Sequence, residues 1–245
     1  MIRVGTAGWT LPAPLRDSFP GDDSHLGRYG RVFAATEINS SFHRAHRKAT
    51  YARWAASVPD DFRFSVKMPK TITHGHRLVG AHALLDAFLD EAGSLGTRLG
   101  CLLVQLPPSF AFTNGAVEPF CMTLRERYSG DIALEPRHAS WFDRDSSALL
   151  EHYHVARVAA DPARVAHAAE PGGWRGIEYW RLHGSPRTYY SSYPEGFLDI
   201  LAANLGRARR SGKAIWCIFD NTTLGAATAN ALALRARLDK HSARR

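Results

Sequence analysis

Several things are missing from this sequence, and each omission closes a class of reading. No stretch approaches the roughly 18 consecutive apolar residues that a membrane span requires, so no membrane association is expected. The amino terminus, Met1 to Trp9, has too short an apolar part for a secretory leader and reads as a strand from residue 2. Cysteine is scarce: Cys101, Cys121 and Cys217 stand far apart, in no CxxC or zinc spacing. Cys101 and Cys217 lie inside apolar runs, where a thiol acts as a small hydrophobe. A reduced, structural set fits a reducing compartment, and a cytoplasmic location is the expectation. The first strand is not followed by a glycine-rich phosphate loop, because G-T-A-G-W (5–9) is neither GxGxxG nor a P-loop. No GxSxG supports a serine nucleophile. No HExxH announces a metal, and the two HxH spacings, His74-Gly75-His76 and His152-Tyr153-His154, belong to no such motif. Low-complexity tracts and linkers are also absent, so residues 1–245 are expected to form one domain.

What is present is the composition of a globular protein, 45% hydrophobic and 22% charged over 245 residues. The formal charge of +8 is concentrated in two segments. R-A-R-R-S-G-K (207–213) has no acid, and the tail Arg235 to Arg245 carries five cations and one acid. Together they account for the whole excess. Both follow helical patterns, where cations near a helix end complement its dipole. A solvated basic edge is the plainer reading, and a non-specific edge for nucleic acid the alternative.

Strand-like runs recur at 2–6, 33–38, 62–67, 100–105, 131–135, 155–160, 177–183 and 214–219, spaced widely enough for a helix between each pair. Helical patterning stands out at 81–94, 195–210 and 223–238, the last with Thr222 or Thr223 as its cap. The stretches 68–79 and 161–176 are irregular. This alternation predicts a single parallel (β/α)8 barrel of the TIM type, for which about 250 residues is typical.

In such a barrel, the groups that do chemistry sit where the strands end. Here those ends carry Trp9; Glu37 and Asn39; Lys67, then His74; Gln105; Glu135, Arg137 and His138, then Trp141; Asp161; Arg181 and His183; and Asp220 and Asn221. The strand beginnings are far less polar. A shared polar mouth explains the pattern better than a series of unrelated solvated turns. The basic segments fall at the opposite, amino-terminal face.

The motifs G-T-A-G-W (5–9), E-I-N-S-S-F (37–42), F-R-F-S-V-K (62–67), Q-L-P-P-S-F (105–110), L-E-P-R-H-A-S-W (134–141), Y-W-R-L-H-G (179–184) and F-D-N (219–221) follow in order over nearly the whole chain. In this set the sequence resembles the YecE-like family, the domain of unknown function numbered 72. The resemblance implies a TIM-type barrel with a polar mouth and supplies no reaction. The chain departs from the family pattern at His43, Pro136, Ala139 and a shorter first loop, which bears on the pocket's shape.

From the residues themselves, the expected activity is hydrolase-like acid–base chemistry on a small polar or anionic molecule such as a phosphoester or sugar. Glu135 and Glu37 are the expected acid and base, as carboxylates facing each other across a pocket can have divergent pKa values. The alternative is that each is neutralised by Arg181, Lys67 or Arg137. Lys67, His183 and Asp220 complete the catalytic set. A desolvated lysine could form a Schiff base, but beside two carboxylates it is expected to stay protonated and pin an anion. Trp9, Asn39, His74, Gln105, Arg137, His138, Trp141, Asp161, Arg181 and Asn221 form the candidate binding set, with Trp9 and Trp141 able to stack on a ring. A divalent metal held by His74, His138, His183, Glu135 and Asp161 stays open. So do a nucleic-acid function of the basic face and a barrel that only binds a ligand.

Overall fold

The computed structural model describes residues 1–243. Its strands are β1 (Ile2–Thr6), β2 (Ala35–Ile38), β3 (Arg63–Lys67), β4 (Leu99–Gln105), β5 (Asp131–Glu135), β6 (Val155–Arg157), β7 (Ala159–Asp161), β8 (Gly172–Gly173), β9 (Ile177–Leu182) and β10 (Ala214–Phe219). The helices are α1 (His25–Val32), α2 (Lys48–Ala56), α3 (His82–Ala92), α4 (Asn114–Arg127), α5 (Arg144–His152), α6 (Glu195–Arg209) and α7 (Ala226–Ala243).

The closed parallel barrel expected from the sequence is not formed. The strands make two sheets, a parallel one ordered β1-β10-β9-β7 and a mixed one ordered β2-β3-β4-β5-β6-β8. Two local features account for this. Between β1 and β2, the buried Tyr29 hydroxyl of α1 accepts from the Thr6 amide at 2.8 Å and donates to the Ala35 carbonyl at 3.1 Å. A side chain thus takes groups that a ladder would pair, and the two edges meet through an isolated bridge, Ala7 to Glu37, and the Thr36 hydroxyl, which donates to the Thr6 carbonyl at 2.9 Å. Burial pushes the Tyr29 phenol up to about 12, so it stays protonated and able to donate.

At the other junction, the run 155–160 does not stay in one sheet. β6 pairs with β5, whereas β7 pairs with β9, and the break falls at Val158. The free side of β6 is covered by the antiparallel β8. Gly173 in β8 has φ +58, and a Cβ there would lie 2.7 Å from the Val155 carbonyl oxygen. Only glycine suits that approach. The P-G-G-W stretch that reads as irregular is therefore a strand.

Two helices start on a side-chain cap. Ser24 caps α1 by accepting from the Gly27 amide, and Asp143 caps α5 by accepting from the Ser146 amide at 2.8 Å. The helix expected over 223–238 begins at Ala226, because Thr222–Gly225 is used as a turn with Gly225 at φ +80. No helix among the described residues is long and apolar enough to cross a membrane. All three cysteines are buried and free.

The core has two parts. The larger packs helices against the outer faces of the sheets, with Phe19, Tyr29, Phe62 and Phe64 among its fully buried rings. The smaller lies between the sheets and contains Cys101, Leu103, Ala133, Tyr179, Trp216 and Ile218. Alternation along each strand puts these residues on inward faces. The polar residues continue the same faces towards the carboxyl ends, so the inner core is the floor of the site.

Candidate active site

Inward alternation builds the site strand by strand. β9 contributes Tyr179, Arg181 and, just past its end, His183, on one face at two-residue spacing. β3 contributes Ser65 and Lys67, β5 Glu135, β2 Glu37, and the end of β10 Asp220. Arg181 lies at the centre with no exposure to solvent. Its Nε donates to Glu37 Oε2 at 2.9 Å and its Nη2 to Glu37 Oε1 at 2.6 Å, a two-pronged grip. Nη1 donates to Glu135 Oε2 at 2.9 Å, and Nη2 lies 3.0 Å from Asp220 Oδ2. One guanidinium therefore holds three carboxylates.

His183 completes the cluster. Its Nε2 is 2.9 Å from Glu135 Oε1, and its Nδ1 is 3.0 Å from Asp220 Oδ2. Arg137 donates to Glu135 Oε1 from Nε and Nη2, at 3.3 and 3.2 Å. The Tyr179 hydroxyl lies 3.0 Å from Glu37 Oε2 and 2.9 Å from the Ser65 hydroxyl.

These contacts set the ionisation states. Burial alone would raise the Glu135 carboxyl, but Arg181, His183 and Arg137 outweigh it and hold it well below the usual range. Asp220 is lowered in the same way, burial being outweighed by Arg181, His183 and Lys67. Burial would lower His183, yet Glu135 and Asp220 raise it above its ordinary value, which favours the imidazolium. Arg181 is raised well above its usual value, the three carboxylates overcoming its desolvation. Lys67 goes the other way. Burial, with help from Arg181, brings its ammonium down to about 8 against the pull of Glu37, Glu135 and Asp220.

The reason is visible in the contacts. Lys67 is only 6% exposed. Its ammonium stands 4.1 Å from the centre of the Phe42 ring. No carboxylate is in ion-pair contact with it among the described residues. Three carboxylates meet three cations without it: Arg181, Arg137 and the His183 imidazolium. Lys67 is the surplus charge.

The sequence-derived candidates divide accordingly. Glu37, Lys67, Glu135, Arg137, Arg181, His183 and Asp220 come together. Gln105, in register with Glu135 on the neighbouring strand, is buried and donates to the Leu106 carbonyl. His74 bonds the Thr73 hydroxyl and meets the Phe42 ring edge-on at 5.0 Å. Burial, followed by Lys67 and Arg137, lowers its pKa. Trp9 and Asn39 line a separate recess of about 400 Å³ with His25 and Ser40.

Four candidates serve the scaffold. Trp141 is fully buried, its indole donating to the Phe110 carbonyl at 2.9 Å, so it does not offer a face to a ligand. His138 caps the following turn through Ser140. The Asp161 carboxylate accepts from the Tyr193 hydroxyl at 2.7 Å. Asn221, also fully buried, donates to the Ser191 carbonyl and to Asn230.

The five groups considered for a divalent metal are not gathered. Among the described residues no three His, Cys, Asp or Glu side chains converge as a metal site, and the central carboxylates are already held by Arg181.

Two residues were missed, Tyr179 and Phe42, and a third, Tyr189, lies in the run 187–193 that reads from sequence as a mouth loop with hydroxyl donors or a surface loop. Tyr179 shares the inward phase of Arg181, and that spacing could have found it. Phe42, under Lys67, carried no signal. Tyr189 packs edge-on against His183 at 5.7 Å and interacts with Arg137, with its backbone at φ +70. Such a conformation is uncommon for a residue with a side chain. A cavity of about 160 Å³ opens beside it, lined by Glu135, Arg137, Pro162, Arg164, His183 and Thr188.

Comparison with known proteins supplies the kinship. The family described as "Protein of unknown function DUF72" matches residues 3–245. The UPF0759 protein YecE of Escherichia coli (strain K12) is 30% identical over 177 residues, which are 70% of this chain and 62% of that protein. The UPF0759 protein YunF of Bacillus subtilis (strain 168) is 22% identical over 98% of this chain and 95% of its own. Among solved structures, a DUF72 family protein from Enterococcus faecalis V583 aligns with a TM-score of 0.82 at 21% identity, covering 98% of this chain and 96% of that one. Another, from Thermotoga maritima MSB8, aligns at 0.78 and 24% identity over 98% of this chain and 99% of that one. The chain belongs to the DUF72 family and shares the α/β fold of its solved members.

Proposed function

We propose that the chain is an enzyme that binds a small anionic substrate at the carboxyl ends of its strands and transfers protons there. One observation carries the reading. Within a buried cluster whose other charges balance, Lys67 is left without a counter-ion. A buried cation in that position is stabilised by an arriving anion far more than an exposed one would be, because the surrounding dielectric is low. Arg137, already turned towards the 160 Å³ cavity, is the second anchor. His183, which lines the same cavity, is the proton-transfer group: Asp220 at Nδ1 fixes the ring, and Nε2, now on Glu135, is the nitrogen a substrate would engage.

The paired-carboxylate mechanism expected from sequence fits this geometry poorly. It needs one protonated carboxyl and one free carboxylate. Glu37 has both oxygens on Arg181, and Glu135 is bonded on both oxygens and held ionised. They position other groups instead of exchanging protons with a substrate.

The test is a turnover screen over small phosphorylated and carboxylated compounds near pH 7.5, with Lys67→Met and His183→Gln in parallel. The reading expects a substrate whose turnover falls at least about 100-fold in each variant, the usual scale for losing an acid–base group, and is inhibited by inorganic phosphate. Full turnover in both variants would remove the cluster from the reaction.

A further inference from the structure

The substrate's reacting group is a separate question, and Lys67 bears on it. We propose that the Lys67 ε-amine forms an imine with its substrate, which is therefore a small aldehyde or ketone carrying an anionic group. The inference rests on the anion-binding reading above and goes one step further, from binding to covalent chemistry.

Three features of the geometry point this way. The amine sits at the end of a strand, on a rigid element and almost out of solvent. It has no carboxylate in ion-pair contact to hold its proton among the described residues, and the Arg181 charge opposes that proton, against the more distant pull of Glu37, Glu135 and Asp220. The balance of Arg181, Arg137 and His183 against Glu37, Glu135 and Asp220 is complete without it, so losing its proton leaves no buried charge uncompensated. A lysine desolvated beside another cation is the arrangement that makes an amine nucleophilic near neutral pH. Consistent with this, its pKa lies at about 8, so a useful fraction is neutral at working pH.

The step balances without an oxidant. The nitrogen lone pair forms the C–N bond as the carbonyl π pair moves to oxygen. A proton shifts from nitrogen to oxygen to give the carbinolamine. The hydroxyl then leaves as water, taking one proton from solvent, and a protonated imine remains. That imine keeps a fixed positive charge among the carboxylates, and the substrate's own anionic group cancels it. The same accounting predicts selectivity: an anionic carbonyl compound is favoured over a neutral one of equal size.

Lysine occurs only at positions 48, 67, 70, 213 and 240, which makes the test clean. The whole protein is incubated with glycolaldehyde phosphate, reduced with sodium borohydride so that hydride fixes the imine as a secondary amine, and mapped by peptide mass spectrometry. Labelling is expected at Lys67, at least tenfold faster than at Lys48, Lys70, Lys213 or Lys240, rising through a midpoint near pH 8. Unphosphorylated glycolaldehyde should label Lys67 more slowly, and inorganic phosphate should protect it. Lys67→Arg, which keeps the charge and should keep the fold, should lose the adduct. Labelling of Lys67 no faster than of the other four lysines overturns the imine proposal. If phosphate still binds by calorimetry in that case, the anion site survives and only the covalent step falls. If phosphate also fails to bind, both readings fall.

Discussion

The two ends of this molecule carry similar charges and use them differently. At the carboxyl ends, Arg181 is fully buried with Glu37, Glu135 and Asp220 within 3.0 Å. At the amino-terminal face, a cleft of about 480 Å³ is lined by Arg31, Arg209, Arg235, Asp61 and Asp239. There the pairs are exposed: Arg31 with Asp23, Arg235 with Asp239 at 3.7 Å, and, on neighbouring helices, Arg237 with Glu195 and Asp199. The basic segments thus lie away from the cluster, and the tail is laced with acids at Arg235 and Arg237, although Arg244 and Arg245 fall outside the described residues. Exposed pairs of this kind contribute about 0–1 kcal/mol each. Removing one partner of a buried set leaves charges stranded and costs about 3–5 kcal/mol. Net charge therefore says little about where the chemistry is, and burial says much more.

The comparison is broken most severely at Arg181. Arg181→Met should lower the unfolding free energy by about 3–5 kcal/mol in urea titration, or prevent folding, because three carboxylates lose their shared partner. A loss under 1 kcal/mol would mean that the cluster is solvated in solution. Lys67 should behave oppositely. With no counter-ion to lose, Lys67→Met should stabilise the ligand-free protein, by up to about 3 kcal/mol given a pKa lowered to about 8. Destabilisation would show that Lys67 is held by the carboxylates after all.

The pH profile sharpens the contrast. His183 is raised in the folded state, so its contribution is complete below about pH 6.5 and is lost as pH rises through the raised value. Glu135 and Asp220 are lowered, so theirs is present above about pH 4 and is lost as pH falls through their folded values. His183→Gln should remove the neutral-to-alkaline decline that His183 causes in a thermal melt series. An unchanged profile would argue that the ring is neutral. The smallest effect belongs to the other face: Arg235→Ala should shift stability by less than about 1 kcal/mol and leave phosphate binding untouched.

How much of this was legible depends on the range of the interaction concerned. Arg181 and His183 announce themselves by two-residue alternation within one strand, and Lys67, Glu135 and Asp220 by ending apolar runs. The failure of barrel closure is written elsewhere: in Tyr29, whose hydroxyl intrudes from α1, and in Gly173, whose backbone fits where no side chain would. Neither is visible from strand periodicity. Trp141 misled because it follows a polar strand end, and its burial depends on Phe110 and Phe112, which close over it from a distant loop. The contacts of Glu135 and Glu37 were hidden for a similar reason. Both lie near the ends of their strands facing inward, and one arginine from another sheet takes both carboxylates.

The account stands or falls on the charge state of Lys67. With ¹⁵N-labelled lysine and the Lys67→Arg variant to assign the resonance, its titration should show a midpoint near 8 in the free protein and a higher one with phosphate bound. A midpoint at the ordinary lysine value of about 10.4, unmoved by phosphate, would contradict it.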